Sequence, residues 1–89
     1  MSDLTPFLIA EIRIEKIYRQ ANMTTVERQR YLDICVELAL SHRHSTWALS
    51  RAMGEQCKPL RRDLRRMERH GLVVADSNGF NNIYWSLAP

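Results

Sequence analysis

The chain has 89 residues, of which 45% are hydrophobic and 26% are charged, and its formal net charge is +3. This composition is typical of one small globular domain and excludes a disordered segment, and two cysteines are too few for a disulfide scaffold. No wholly apolar run exceeds four residues, and the first residues lack a signal-peptide pattern, so we expect an intracellular, cytoplasmic protein with no membrane partner.

The positive charge is concentrated in the second half of the chain. Residues 1–44 carry six basic and six acidic groups, whereas residues 45–89 carry seven basic and four acidic groups. Between Lys58 and Arg69 alone there are six basic groups and two acidic ones. A localised basic stripe of this kind indicates a polyanionic partner more strongly than diffuse charge does.

The first predicted helix spans residues 6–22. Thr5 is suited to cap it, and Pro6 is suited to its first position. Apolar residues at spacings of three and four then form one face, namely Phe7, Ala10, Ile14, Ile17 and Ala21. A second apolar flank contains Leu8 and Ile12. This accessory helix either thickens the core of a monomer or, as we favour, forms a homodimer interface through Phe7, Leu8 and Ile12.

Two further helices follow, each with recognisable end signals. Thr24 and Glu27 fit a capping box at the start of the second helix. Its predicted apolar face contains Tyr31, Leu32, Cys35, Val36, Leu38 and Ala39. Ser45 as N-cap and Gly54 as left-handed C-cap delimit a short third helix. The predicted buried stripe of the third helix contains Ala48, Leu49, Ala52 and Met53.

The fourth helix is predicted to begin at Pro59 and to end at Gly71. At 3.6 residues per turn, its apolar residues Leu60, Leu64 and Met67 share one face. Five cations lie on the opposite face, namely Lys58, Arg62, Arg65, Arg66 and Arg69, and Arg61 flanks them. Like charges four residues apart cost a few tenths of a kcal/mol each, which a merely solvated face would avoid. The pattern therefore favours nucleic-acid binding over a solvated or protein-binding face.

The spacing of the apolar residues changes after Gly71 from a helical to a β-type pattern. Two short β-type runs span residues 72–75 and 82–87. In the second run Ile83, Trp85 and Leu87 alternate with more polar positions, as in a half-buried strand. The stretch "DSNGFNN" between the runs is rich in turn residues. We therefore expect a β-hairpin with a polar tip.

Residues 25–87 resemble the winged helix-turn-helix DNA-binding domains. "ALSRAMG" is similar to the second helix of that family, "LRRDLRRMERHGLV" to its recognition helix and "NNIYWSL" to its returning wing strand. The resemblance implies a mainly α fold with a small β-hairpin (α+β), here a winged helix-turn-helix with an extra N-terminal helix. One domain would span residues 1–89, with its winged-helix core in residues 24–87 and its recognition helix in residues 58–70.

The resemblance also implies a partner, which is double-stranded DNA, and a set of contacts. The expected contacts from the recognition helix are Lys58, Arg61, Arg62, Arg65, Arg66 and Arg69. Ser45 and Thr46 are placed to offer hydroxyls or amides to a phosphate, although Ser45 is equally suited to capping alone. Asn78 and Asn81 are placed to reach DNA from the wing, but polar residues are expected in any turn.

Other chemistry is not indicated. Trp47 and Trp85 are most simply core or core-edge residues, and His42 and His44 lack the further ligands that a metal site needs. We expect no enzyme, no cofactor and no small-molecule substrate. The favoured function is a small sequence-specific repressor of a kind that would suit a phage or mobile element. The alternatives are a protein-interaction module in a replication, recombination or packaging assembly and a non-specific architectural DNA binder.

Overall fold

The computed structural model describes residues 4–41, 43–77 and 83–89. The elements in these residues are α1 (Thr5–Gln20), α2 (Thr25–Ser41), β1 (His44–Ser45), α3 (Thr46–Met53), α4 (Cys57–Arg69), β2 (Val73–Ser77) and β3 (Ile83–Leu87). The expected mainly α fold with a small hairpin, in the element order of a winged helix-turn-helix, is confirmed. None of the helices in the described ranges is long and apolar enough to cross a membrane.

The strands form one antiparallel sheet in the order β1-β3-β2. In the predicted hairpin, β2 pairs with β3 from Val73 opposite Leu87 to Ser77 opposite Ile83. The sequence does not predict β1, because two residues are too few to show a periodicity. This strand pairs His44 with Trp85, so it fastens the segment between α2 and α3 to the wing.

The core draws on every helix and on the hairpin. The buried cluster contains Ala10, Ile14, Tyr31, Ile34, Cys35, Leu38, Leu49, Leu60, Leu64, Met67, Leu72, Val73 and Trp85. Complete burial of one such aliphatic side chain stabilises the fold by about 1.5–3 kcal/mol before entropy is counted. Burial raises the pKa of Cys35 to about 12, so this thiol stays protonated at neutral pH, as expected for a core cysteine.

Several positions differ from the predicted apolar faces. Val36 and Ala52 are exposed, whereas Ile34 and Ser50 are buried in their place. The reason is the direction from which neighbouring elements cover each helix. The covered side of α2 contains Tyr31, Ile34, Cys35 and Leu38. Val36 lies on the opposite side of the helix and therefore faces outward.

The predicted capping of α2 and α3 is confirmed. The backbone N–H of Glu27 donates to Thr24 Oγ1 at 3.0 Å, and the backbone N–H of Thr24 donates to Glu27 Oε1 at 3.2 Å. The hydrogen bond from the Thr24 N–H to the Glu27 carboxylate is the largest reason that the pKa of Glu27 is lowered, and a hydrogen bond with the Thr24 side chain is the second. At α3, the backbone N–H of Ala48 donates to Ser45 Oγ at 3.1 Å.

The ends of α1 differ from the prediction. Thr5 is the first helical residue and Leu4 holds the N-cap position without a side-chain hydrogen bond, so the predicted Thr5 cap is wrong. Pro6 lies in the first turn, as expected. Ala21 follows the last helical residue, extends away in β conformation and is exposed. The inward face of α1 is therefore shorter than its apolar pattern suggests.

Candidate nucleic-acid interface

The two faces of α4 are separated in the structure as the sequence predicts. Leu60, Leu64 and Met67 are fully buried. Among the cations of this helix, the exposed ones are Lys58, Arg61, Arg62, Arg66 and Arg69. The helix begins at Cys57, two residues before the predicted start. Pro59 therefore lies in its first turn and not at its first position. The result is a basic ridge, defined by these exposed cations.

The acidic groups of α4 are paired within the protein. Arg30 of α2 donates from Nε to Asp63 Oδ2 at 2.9 Å and also forms an ion pair with Glu55, just before α4. The pKa of Arg30 is raised, first by the hydrogen bond with Glu55 and then by that with Asp63. Glu68 accepts from Arg65. These carboxylates therefore do little to offset the charge of the basic ridge.

Arg65 occupies an edge between α4 and the wing. Its Nη1 donates to Glu68 Oε1 at 3.0 Å, and its guanidinium carbon lies 5.2 Å from the centroid of the Trp85 ring. Its side chain is 43% exposed. The helical repeat alone places Arg65 on the outward face. In the fold, Trp85 of the wing lies on one side of the helix next to Arg65. The helical repeat cannot predict this contact.

The junction between α4 and β2 has a defined geometry. Gly71 has a positive φ of 76°, and its N–H donates to Glu68 O at 3.0 Å while the N–H of Leu72 donates to Met67 O at 2.9 Å. This pair of bonds is a Schellman motif, with Leu72 buried against the core. The predicted stop at Gly71 is confirmed. The wing consequently leaves α4 at an angle set by backbone hydrogen bonds.

The start of α3 differs from the expected phosphate site. Thr46 is buried, and its Oγ1 accepts a hydrogen bond from Trp85 Nε1 at 2.8 Å. Its side chain therefore faces the core, and the expectation that it presents a hydroxyl to phosphate is not supported. Ser45 acts as the cap. Trp85 is fully buried, as predicted, but Trp47 is 64% exposed, so its predicted place in the core or at the core edge is wrong.

Two arginines near the wing and α3 were not among the predicted contacts. Arg43 lies 4.3 Å from the centroid of the Tyr84 ring and 3.2 Å from Asp76 Oδ2, so it lies across β3 and β2. Arg51 lies 5.3 Å from the centroid of the Trp47 ring. Arg43 reaches the wing only through the pairing of β1, which the sequence does not reveal. Trp47 and Arg51 are four residues apart on a predicted helix, and this spacing is the sequence signal that their side chains are in contact.

The remaining predicted site residues fall into two groups. Asn78, Asn81 and His42 lie outside the described residues. On α1, Phe7 packs against the core, whereas Leu8 and Ile12 are exposed. Over the described ranges, no three His, Cys, Asp or Glu side chains are grouped to hold a metal ion. Of the three residues predicted for a dimer interface, two thus remain on an open apolar face.

Several solved structures share this fold. The AntR antimony-specific transcriptional repressor has a TM-score of 0.63 at 23% identity, over 68% of this chain and 54% of that chain. A homodimeric winged helix-turn-helix DNA-binding domain from Mycobacterium bovis, of a possible ArsR-family transcriptional regulator, has a TM-score of 0.63 at 20% identity. The match covers 100% of this chain and 73% of that chain. NadR in complex with 4-hydroxyphenylacetate has a TM-score of 0.59 at 24% identity, over 99% and 64%.

These likenesses establish the winged helix-turn-helix fold of this chain. The chain spans about half of AntR and somewhat less than two thirds of NadR. No protein-family model matches the sequence, and the search of curated proteins finds no match.

Proposed function

Because the chain has a winged helix-turn-helix fold with a basic fourth helix, we propose that it is a transcriptional regulator that binds double-stranded DNA. In this proposal α4 enters the major groove, where arginine reads guanine through two hydrogen bonds and also binds phosphate. Binding across a promoter would block transcription, so the protein acts as a repressor in the cytoplasm. The fold is also used for other purposes, so the proposal depends on the surface of α4.

One observation carries the proposal. The basic ridge has five exposed cations along one helix whose opposite face is fully buried, and the acids of that helix are paired with Arg30 and Arg65. Like charges this close together weaken an isolated helix. The arrangement becomes favourable when the cations meet phosphates and release the counterions around DNA.

The proposal includes a homodimer. A two-fold dimer would present two copies of α4 to half-sites about one helical turn apart, which is about 34–36 Å along the duplex. Leu8 and Ile12 on α1 are exposed and offer apolar side chains for such an interface. The homodimeric domain from Mycobacterium bovis, which shares the fold, supports this arrangement.

Salt dependence of duplex binding tests the proposal. We expect the logarithm of the binding constant to fall with a slope of about 0.9 per neutralised phosphate against the logarithm of salt concentration. Arg66→Ala removes one exposed cation, so affinity should fall by about 1–3 kcal/mol if Arg66 reads a base, or the slope by about 1 if it meets a phosphate. The titration is a fluorescence anisotropy measurement with labelled duplex.

Gln29→Glu is the matched control, because it also lowers the net charge by one. Gln29 is exposed and lies two residues from the buried Tyr31, on the other side of α2. It donates from Nε2 to Asp33 Oδ1 at 2.9 Å, and the like-charge pair that the substitution creates costs only a few tenths of a kcal/mol. Its binding should equal that of the wild type. Undetectable duplex binding at about 50 mM salt, where counterion release is strongest, or wild-type binding by Arg66→Ala would contradict the proposal.

Selection of bound sequences from a random duplex pool separates a regulator from an architectural binder. A sequence-specific regulator should enrich one site and prefer it over unrelated DNA by about 10³-fold or more. Uniform recovery of sequences would favour the architectural alternative.

A further inference from the structure

The indole of Trp47 lies outside the core of a domain that buries its other tryptophan. Trp47 is 64% exposed, whereas Trp85 is fully buried and hydrogen-bonded to Thr46. Tryptophan combines a large apolar ring with one N–H donor and is enriched where proteins meet their partners. The exposed ring therefore identifies a surface that the basic ridge of α4 does not include.

A cation accompanies the exposed ring. Arg51, four residues later on α3, holds its guanidinium carbon 5.3 Å from the centroid of the Trp47 ring. The segment Thr46–Met53 contains no Asp or Glu. In the part of the chain that the structure describes, none of the ion pairs involves Arg51. The pair of side chains thus presents an aromatic face and a positive charge together.

Hydrogen bonds of Ser50 connect α3, the helix that carries Trp47, with the start of α4. Ser50 Oγ donates to Trp47 O at 2.7 Å and accepts from Cys57 Sγ at 3.3 Å. Cys57 is the first residue of α4 and directly precedes Lys58. The contact between Ser50 and Cys57 therefore brings α3 next to the first turn of α4, so Trp47 and Arg51 lie on the helix that adjoins the start of the basic ridge.

We infer that Trp47 and Arg51 form a second contact with double-stranded DNA, against the sugar–phosphate backbone beside the groove that α4 occupies. This inference rests on the proposed function. Glu55, which follows α3, is paired with Arg30, whereas Arg51 and Lys58 have no ion pair within the described residues; these two cations suit a phosphate backbone better than an apolar protein groove. Arg51 can bind a phosphate with two parallel hydrogen bonds, and the indole N–H of Trp47 can donate to a phosphate oxygen.

The partner that we infer for Trp47 and Arg51 is double-stranded DNA. The bases of a duplex are stacked and closed to an indole outside the groove, so the ring would lie against deoxyribose while Arg51 meets phosphate. A single strand would instead offer open base faces for stacking on Trp47. The two partners therefore predict different preferences in solution.

Tryptophan fluorescence of the full chain tests the inference directly, since the chain has two tryptophans. Acrylamide should quench Trp47 in the free protein and leave Trp85 largely protected. Addition of the duplex recovered from the selection should reduce the quenching to the level of the Trp47→Phe variant, which retains only Trp85. Unchanged quenching in a saturated complex would overturn the inference while leaving the proposed function intact.

Variants supply the second readout. Arg51→Ala should lower the salt slope by about 0.9, which corresponds to one phosphate, and Trp47→Ala should weaken duplex binding without lowering that slope. Val26→Ala is the control, because Val26 is an apolar side chain on α2 that is 78% exposed. Wild-type affinity and slope in both α3 variants would overturn the inference.

The test also separates the inference from the proposed function. A wild-type chain that binds no duplex would defeat both. Tighter binding to a single strand of the same sequence, with Trp47 shielded, would replace the backbone contact with base stacking.

Discussion

Arg65 of α4 has two partners within the protein. It donates to Glu68 and lies over the ring of Trp85. Loss of a cation–aromatic contact at a partly exposed site costs about 0.5–1 kcal/mol, so Arg65→Ala should lower the free energy of unfolding by roughly that amount. It should also weaken duplex binding. Urea unfolding and a duplex titration of the same variant measure both effects.

Arg62→Ala is the comparison for this prediction. Arg62 is exposed on the basic ridge, and substitutions at such positions usually change stability by less than about 0.5 kcal/mol. We expect Arg62→Ala to weaken duplex binding at unchanged stability. Equal unfolding midpoints for the two variants would show that the contact between Arg65 and Trp85 does not stabilise the fold.

At the scale of elements, the junction of α4 with the wing depends on one glycine. Gly71 has a φ of +76°, and a Cβ added there would meet nothing within 4 Å. The penalty for Gly71→Ala is therefore backbone strain, which costs about 1–2 kcal/mol in the left-handed region. Chemical denaturation should show this loss of stability.

Gly71→Asn distinguishes backbone strain from loss of space. Asparagine tolerates the left-handed conformation better than alanine does, although its side chain is larger. We expect Gly71→Asn to be more stable than Gly71→Ala. The reverse order would mean that side-chain volume, and not the positive φ, makes glycine necessary at this junction.

Arg30 links α2 with α4 and with the turn that precedes α4. It lies on α2 and forms ion pairs with Glu55 before α4 and with Asp63 within it. These contacts hold the turn between α3 and α4 against α2. They also remove the negative charge of Asp63 from the surface that the basic ridge presents. One side chain thereby affects both the position and the electrostatics of α4.

At the scale of the whole molecule, the proposed homodimer depends on the outer face of α1. Ile12 is 68% exposed and lies one turn after Leu8, which is also exposed. If this face forms the dimer, Ile12→Asp should yield a monomer, because a carboxylate cannot be buried there without a partner. Sedimentation velocity at several concentrations measures the change. The circular dichroism spectrum should stay unchanged because the core does not include Ile12.

Leu40→Asp is the control for the dimer prediction. Leu40 is more exposed than Ile12 and lies on α2, so the same apolar-to-acidic change should leave the dimer intact. A monomeric wild-type chain, or a dimeric Ile12→Asp variant, would contradict the proposed interface. The first outcome would leave α1 to pack only within a single chain, and the second would place the dimer interface on another surface.

The sequence by itself determined the features that depend on short-range rules. The capping box of Thr24 with Glu27, the stop at Gly71 and the separation of Leu64 from the basic ridge each depend on residues within one or two turns. Backbone hydrogen bonds and helical period control such features, so they can be predicted without knowledge of neighbours. The hairpin followed from the alternation around Trp85 for the same reason.

The tertiary structure decided what depends on segments far apart in the chain. Thr46 and Trp85 are separated by 39 residues, and their hydrogen bond turns the threonine inward and away from the expected phosphate. The pairing of β1 with β3 brings Arg43 to the wing. Trp47 is exposed because the elements around α3 cover its other side. Composition and period describe a residue's own element, but burial depends on which other element lies against it.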